Sequence, residues 1–126
     1  MLIEDYCNFE IAKLLKEKGF NEPCTHYYPN EKSLVDLGYS QYHHTQNHEL
    51  LDEYAAPTLQ MAMKWLREVH KCFIEIKEYF DIKQYQAFVS KYGKTTYCEP
   101  DWFHPICNSY EEACEAAIKY CLENLI

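Results

Sequence analysis

Hydrophobic residues recur at helical spacing in three stretches of the chain. The first stretch follows Asn8, a favourable N-cap residue, and ends before Gly19, where a left-handed residue can close a helix. The second begins at Pro57, which suits a first helical turn, and the third begins at Ser109, which forms a capping box with Glu112. The spacing predicts three helices with the following core-facing residues: Phe9, Ile11, Ala12, Leu14 and Leu15; Leu59, Ala62, Met63, Leu66 and Val69; and Ala113, Cys114, Ala117, Ile118, Cys121, Leu122 and Leu125.

A second apolar stripe accompanies the middle helix, because Met61 and Trp65 lie four residues apart and outside its main apolar face. Such a helix either packs on two sides or leaves Trp65 exposed for a partner. An apolar helix perimeter usually means burial, so the pattern favours packing on two sides.

Two runs in the second half of the chain change to a period of two, which is typical of half-buried strands. Residues 73–80 alternate between an apolar and a polar side, with Phe80 on the apolar side, and residues 84–90 alternate in the same way. The short connection between the two runs predicts an antiparallel hairpin. A further short strand is expected over 94–98, followed by a loop over 99–108 that contains two prolines.

The segment between the first two helices has a weaker pattern. Two short runs, 24–28 and 39–43, are rich in β-prone residues and predict a hairpin with a long polar loop. Residues 43–52 are mostly polar, and we expect them to be mobile because little in them could pack into a core.

The predicted elements follow the order helix, weak hairpin, helix, strong hairpin, helix. This order favours an α+β fold in which about three helices pack on one face of a mostly antiparallel sheet. No internal repeat or linker interrupts the chain, so residues 1–126 are expected to form a single domain. Hydrophobic residues make up 48% of the chain and charged residues 25%, a mixture that is typical of proteins that fold by themselves.

The chain is acidic, with 20 acidic and 12 basic side chains and a formal net charge of -8. A negative field repels phosphate backbones and anionic lipids, so we expect no nucleic-acid partner and no membrane partner. The densest basic run, Lys13, Lys16 and Lys18, is diluted by Glu10 and Glu17 and is typical of a solvated helix face.

The sequence favours a cytoplasmic protein. Its start is acidic and lacks the basic and apolar regions of a secretory signal, and no stretch approaches 18 apolar residues. The seven cysteines are an odd number without a short-spaced framework, which indicates free thiols in a reducing compartment.

Four sequence features recur together in a known group of proteins. They are Ala-Pro-Thr at 56–58 with Lys-Trp-Leu-Arg-Glu at 64–68, the alternating strand at 73–77, and Tyr-Glu-Glu-Ala at 110–113. With these motifs the chain resembles a family of small uncharacterised bacteriophage and prophage proteins of gut anaerobes. The resemblance implies a common fold and a prophage origin, but the shared motifs are capping and packing motifs and imply no activity.

Several enzyme classes lack their motifs. Phosphate cradles need closely spaced glycines, and the three glycines of this chain fit neither a Walker nor a dinucleotide pattern. No serine stands in a Gly-x-Ser-x-Gly elbow, so serine hydrolysis by that fold is not indicated either.

A zinc site is the sharpest chemical hypothesis, because Cys98, His104 and Cys107 lie in one loop. Cys24 and His26 could complete a tetrahedral site if the two segments met. The spacing matches no familiar zinc finger, and Cys-x2-Cys pairs are absent. The alternative is that these are free thiols and ordinary loop histidines, in which case the protein has no cofactor.

The same loop is the only segment that resembles a thiol hydrolase. Cys107 comes just before the helix that starts at Ser109, and His104 is close to it in sequence. No orienting acid or oxyanion hole can be identified, and cysteines before helices are common.

We therefore expect a non-enzymatic phage or prophage accessory protein that acts through contacts with a protein partner or with itself. Aromatic anchors dominate such contacts. The alternatives are a small metal- or thiol-dependent hydrolase that uses the 98–107 loop, and an acidic mimic of nucleic acid, although mimics usually carry denser acidic runs. The candidate partner-binding residues, each of which could instead pack in the core, are Trp65, Tyr79, Trp102 and Phe103.

Overall fold

The computed structural model describes residues 2–38, 44–92, 94–97 and 107–126, and these residues form the expected α+β fold. The helices are α1 Phe9–Glu17, α2 Leu59–His70 and α3 Tyr110–Tyr120, with a π-helical turn Cys121–Leu125 after α3 and a 3-10 turn Asn47–Glu49. The strands are β1 His26–Asn30, β2 Ser33–Asp36, β3 Tyr54–Ala55, β4 Cys72–Tyr79, β5 Gln84–Lys91 and β6 Lys94–Tyr97.

The α+β class and the antiparallel pairing are confirmed, but the described strands form two small sheets where a single one was expected. The strand orders are β2-β1-β3 and β4-β5-β6, and every pairing in them is antiparallel. Contacts divide the chain into two compact units, Met1–Gln60 and Met61–Ile126, and each unit contains one sheet. Each strand pairs with neighbours in its own half of the chain, because short connections favour local pairing. The single-domain assignment stays a prediction.

Both ends of α1 confirm the signals in the sequence. The Asn8 side chain accepts a hydrogen bond from the Ile11 N–H at 2.9 Å, which satisfies a free donor of the first turn. Gly19 has a φ of +93°, and the Phe20 N–H donates to the Leu15 carbonyl at 2.9 Å. This Schellman closure places the Phe20 side chain in the core, where it is 1% exposed.

The first hairpin differs from the predicted one. Strand β1 pairs with residues 33–36 through a tight turn, in which the Asn30 side chain accepts from the Lys32 N–H at 2.8 Å. The long polar loop is therefore wrong, and the predicted strand 39–43 lies outside the described residues. Pro29 lies inside β1, at the point where the pairing with β2 changes register between Tyr27 and Asn30. Proline has no backbone N–H, and at such an irregularity no regular strand-to-strand hydrogen bond is lost.

The polar segment after the first sheet strands packs into unit 1, contrary to the expectation of a mobile segment. Thr45 pairs with Cys24 through two backbone hydrogen bonds, and Asn47 is only 5% exposed. The Asn47 side chain donates to the Phe20 carbonyl at 2.7 Å and accepts from the Ala55 N–H at 2.8 Å. Hydrogen bonds of a buried amide thus hold this segment in place. The expectation of mobility was wrong because it was based only on the lack of apolar side chains.

The predicted hairpin in the second half is confirmed, with β4 and β5 paired from Cys72 opposite Lys91 to Tyr79 opposite Gln84. The expected third strand is also confirmed over 94–97. One side of the sheet packs on α3 and the turn that follows it, because Lys91 donates to the Leu125 carbonyl and Cys72 shares a hydrogen bond with Cys121.

Two apolar residues assigned to the core are instead exposed. Phe80 is 82% exposed because β4 ends one residue earlier, so the alternation no longer applies at the turn. Val69 is 56% exposed in the last turn of α2. The apolar spacing of the helix continues to this residue, but its burial does not. Within the described ranges, every helix is too short or too polar to cross a membrane.

Candidate functional site

The side of the β4–β5 hairpin that faces away from α3 carries a mixed aromatic and charged surface. Successive side chains of a strand point to opposite faces, and Cys72 and Lys91 point toward α3. Their neighbours in β4 and β5 therefore point outward. We call this surface the outer face, and its residues are Phe73, Glu75, Lys77, Tyr79, Gln84, Gln86, Phe88 and Ser90.

Polar contacts fix the middle of the outer face. The Tyr79 hydroxyl donates to the Gln86 Oε1 at 2.6 Å, across the strand pair on the diagonal. The Lys77 Nζ lies 5.2 Å from the centroid of the Tyr79 ring, within the range of a cation–π contact. Tyr79 is therefore held at both its ring and its hydroxyl, while it remains half-buried.

A shallow groove with both aromatic and polar lining lies at the other end of the outer face. It has a volume of about 130 Å³, and its lining includes Phe73, Glu75, Phe88 and Ser90. Phe73 is 46% exposed, whereas Phe88 is half-buried opposite Glu75. A cavity of roughly 150 Å³ can accept a benzene-sized group, so this groove has the right size for one side chain of a partner.

A second chemical feature of unit 2 is a buried cluster of thiols and an imidazole. Cys72 and Cys121 are fully buried and share a hydrogen bond, and the Cys72 Sγ also donates to the His70 carbonyl at 3.7 Å. The His70 ring lies edge-on to the Trp65 ring at 4.7 Å between centroids, and its Nε2 is buried without a hydrogen-bond partner. No spacing in the sequence had pointed to this cluster.

The environment of this cluster keeps its groups neutral. Burial raises the pKa of the Cys72 thiol, although the positive charge of Lys91 and the Cys121 hydrogen bond act in the opposite direction. Burial and then the Lys91 charge lower the pKa of His70 below its usual 6.5. A reactive cysteine needs a lowered pKa and access to solvent, so this arrangement is typical of core packing.

The lowered pKa of His70 predicts a loss of stability in acid. Below about pH 6.5 the unfolded chain takes up this proton more readily than the folded protein, so the free energy of unfolding falls as the pH falls. Urea unfolding at about pH 7.5 and about pH 5.5 should show a smaller pH dependence for His70→Gln than for the wild type. His48→Gln, which replaces an exposed histidine, is the control, and an unchanged pH dependence in His70→Gln would contradict the assignment.

The structure describes one member of the predicted zinc and thiol loop. Cys98 and His104 lie outside the described residues, whereas Cys107 is half-buried and exchanges two backbone hydrogen bonds with Tyr85. Burial and then the negative charge of Glu112 raise the pKa of Cys107, which is the opposite of what a nucleophilic thiolate requires.

The second predicted pair, Cys24 and His26, has other contacts. Burial, with a smaller contribution from Glu22, raises the pKa of Cys24 from 9.0 to about 12, and its Sγ donates to the Glu22 carbonyl at 3.4 Å. The His26 ring stacks on the Tyr6 ring at 3.9 Å between centroids. No group of three metal-binding side chains occurs in the part of the chain that the structure describes. Zinc binding by the 98–107 loop stays a prediction.

The candidate aromatic residues have different positions. Trp65 is 7% exposed and presents little surface to a partner, whereas Met61, the other residue of the second apolar stripe, is 40% exposed, so the expected packing of α2 on two sides holds at Trp65 alone. Tyr79 lies on the outer face, and Trp102 and Phe103 are outside the described residues. Phe73 and Phe88 were not among the candidates, although strand alternation already placed both on the same side as polar residues.

Comparisons with protein-family models, with curated proteins and with solved structures give no match for this chain. The similarity to phage and prophage proteins therefore stays a prediction, and the outer face is the feature from which a function can be inferred.

Proposed function

We propose that the protein is a non-catalytic, cytoplasmic accessory protein of a phage or prophage that binds a protein partner through the outer face. The observation that carries the proposal is the groove beside Phe73 and Phe88 on a sheet face whose other side packs on α3. An exposed aromatic beside a groove is the usual centre of a binding surface.

The charged residues around the groove suit recognition of a protein. Glu75 and Lys77 are exposed and lie between Phe73 and Tyr79 on the outer face of β4. Charges at the rim of an apolar contact orient a partner and exclude wrong ones, while the aromatic residues supply most of the binding free energy. The surface thus combines an anchor, a pocket and polar residues that set the orientation.

The thiols favour a binding protein over a thiol hydrolase. The pKa of Cys72 and that of Cys107 are both raised by burial, so both thiols are protonated at neutral pH. Thiolate is the nucleophilic form of cysteine. Among the described cysteines these two are therefore poorly suited to covalent catalysis.

Site-specific photo-crosslinking tests the proposal. A benzophenone amino acid at Phe73 is expected to give a discrete adduct with one protein in the cells that produce this chain. Leu34, which is 42% exposed in unit 1, provides a matched control position for the same probe. Phe73→Asp should weaken binding of the captured protein by about tenfold or more, equivalent to about 1.4 kcal/mol, without changing the urea midpoint.

Two results would contradict the proposal. One is the same pattern of adducts from position 34 and position 73, which would indicate unspecific labelling of exposed surface. The other is an unchanged affinity of Phe73→Asp for the captured protein, which would place the contact elsewhere.

A further inference from the structure

Strand β4 is a long edge strand with charged side chains. Its eight residues pair with β5 on one side, and no strand in the described ranges pairs with the other side. An edge of this length presents a row of backbone N–H and C=O groups that can pair with another strand. The side chains of Phe73, Glu75 and Lys77 are exposed along it.

Symmetry limits the ways in which two such edges can join. Two copies that pair antiparallel are related by a two-fold axis perpendicular to the sheet, which keeps both outer faces on the same side. Residues directly opposite each other share a face, and the faces alternate along each strand. The two-fold axis must therefore pass level with a residue of β4. An axis between two neighbouring residues would place those two opposite each other, although they belong to different faces.

The charge pattern selects one of these registers. An axis at Glu75 places two glutamates opposite each other, and an axis at Lys77 places two lysines opposite each other. An axis at Ile76 instead places Glu75 of each copy opposite Lys77 of the other, so that two complementary pairs form by symmetry. Opposite charges across neighbouring strands stabilise a sheet, whereas like charges destabilise it.

The same register also suits the aromatic residues. An axis at Ile76 places Phe73 opposite Tyr79 of the second copy, again on the outer face. Registers further along the strand are poorer, because an axis at Glu78 opposes two glutamates and an axis at Ile74 leaves residues 77–79 without opposing strand residues. Ile76 is also close to the middle of β4, so nearly the whole strand takes part.

We propose that two copies of this chain join through β4, antiparallel and centred on Ile76, to form a continuous six-stranded sheet. The inference rests on the proposed function as a protein-binding module, and it names a second copy as one partner. In the dimer, the groove beside Phe73 remains on the outer face of each copy. Tyr79 of the second copy lies next to it.

Charge reversal tests the register. Glu75→Lys and Lys77→Glu each oppose like charges twice, so each variant should dimerise about tenfold or more weakly than the wild type in sedimentation equilibrium at low ionic strength. The double variant Glu75→Lys/Lys77→Glu exchanges the two charges and should recover dimerisation. Lys13→Glu, an exposed charge reversal on α1, is the control and should leave the dimer unchanged.

Mixing the two single variants separates a specific interface from a folding defect. In this register, position 75 of one variant faces position 77 of the other, and both such pairs in the mixed dimer join a lysine to a glutamate. The mixture should therefore form heterodimers at concentrations at which each variant alone dimerises only weakly. Native mass spectrometry identifies the heterodimer by mass, and its formation also shows that both variants are folded.

A zero-length carbodiimide crosslink tests the contact directly. In a mixture of ¹⁴N- and ¹⁵N-labelled wild-type protein, we expect a mixed-isotope crosslink between Glu75 and Lys77. A chain that stays monomeric up to about 1 mM, or a dimer that all the charge variants leave unchanged, would overturn the inference. If the Phe73 photo-adduct with another protein persists in either case, the proposed function stands and only the dimer is wrong.

Discussion

Replacing Asn47 by alanine is expected to lower the free energy of unfolding by about 2–4 kcal/mol, because the change removes both hydrogen bonds that this buried amide makes to backbone groups. The side chain is 5% exposed and joins the Phe20 carbonyl to the Ala55 N–H, at 2.7 and 2.8 Å. A buried donor or acceptor that loses its partner costs about 1–3 kcal/mol, since it no longer bonds to water either. Asn47→Asp should also destabilise, because it removes the donor and adds a buried charge.

The measurement is urea unfolding followed by circular dichroism, with the midpoint compared at an unchanged slope. Gln46→Ala is the matched control, because it removes a neighbouring amide whose hydrogen bond to the Asn21 carbonyl is exposed to solvent. We expect at most about 1 kcal/mol for the control. An Asn47→Ala midpoint equal to that of Gln46→Ala would mean that water replaces the amide, and would contradict the assignment.

Replacing Lys16 by methionine is expected to cost about 1–3 kcal/mol, even though methionine has a similar length and good helix propensity. The Lys16 Nζ donates to the carbonyls of Leu50, Leu51 and Glu53, the last two at 3.1 and 2.8 Å. The same ammonium lies 5.0 Å from the centroid of the Tyr54 ring. One charged group thus satisfies three carbonyls of a segment that has little regular structure.

Lys13→Met is the control for this substitution, because Lys13 lies one turn earlier on α1 and is exposed. Urea midpoints should fall for Lys16→Met and stay close to the wild type for Lys13→Met. Hydrogen exchange should also become faster over 50–55 in the Lys16 variant, since the carbonyls that the lysine held are released. Equal midpoints in the two variants would show that the lysine contacts contribute nothing.

Asn47 and Lys16 secure the same segment from two sides. Asn47 holds the 3-10 turn to the end of α1, and Lys16 holds the chain that leads into β3. Since both changes release one segment, their effects on stability should be less than additive in the double variant. Polar contacts therefore hold residues 47–53 in place within unit 1.

The outer face and the edge of β4 are different parts of one sheet. The outer face offers side chains to a partner, while the edge of β4 offers backbone groups to a second copy. Phe73 and Tyr79 belong to both, because they lie on the outer face of the edge strand. Phe73 and Glu75 both line the groove and both lie along the proposed dimer edge, so the roles are separated by mixing the two charge variants, which restores dimerisation only in the proposed register.

Both ends of α1, the start of α3 and the second hairpin could be predicted from the sequence, because capping contacts and strand alternation are local, whereas α2 begins at Leu59, two residues after the predicted Pro57. Asn8 bonds to Ile11, Gly19 allows the closure after α1, and Ser109 accepts from the Glu112 N–H at 3.1 Å. Strand alternation over 73–79 likewise determined which residues of β4 share a face.

Which polar residues stabilise the fold became visible from their contacts in the folded chain. Lys16 has the pattern of a solvated helix face, yet its carbonyl partners are 34 to 37 residues away. Asn47 lies in a segment without apolar periodicity, yet it is buried and donates a hydrogen bond to a residue 27 positions earlier. The division into two sheets has the same origin. A periodic pattern reports which side of an element is apolar, whereas partners distant in the chain are chosen by packing and by the need to satisfy every buried polar group.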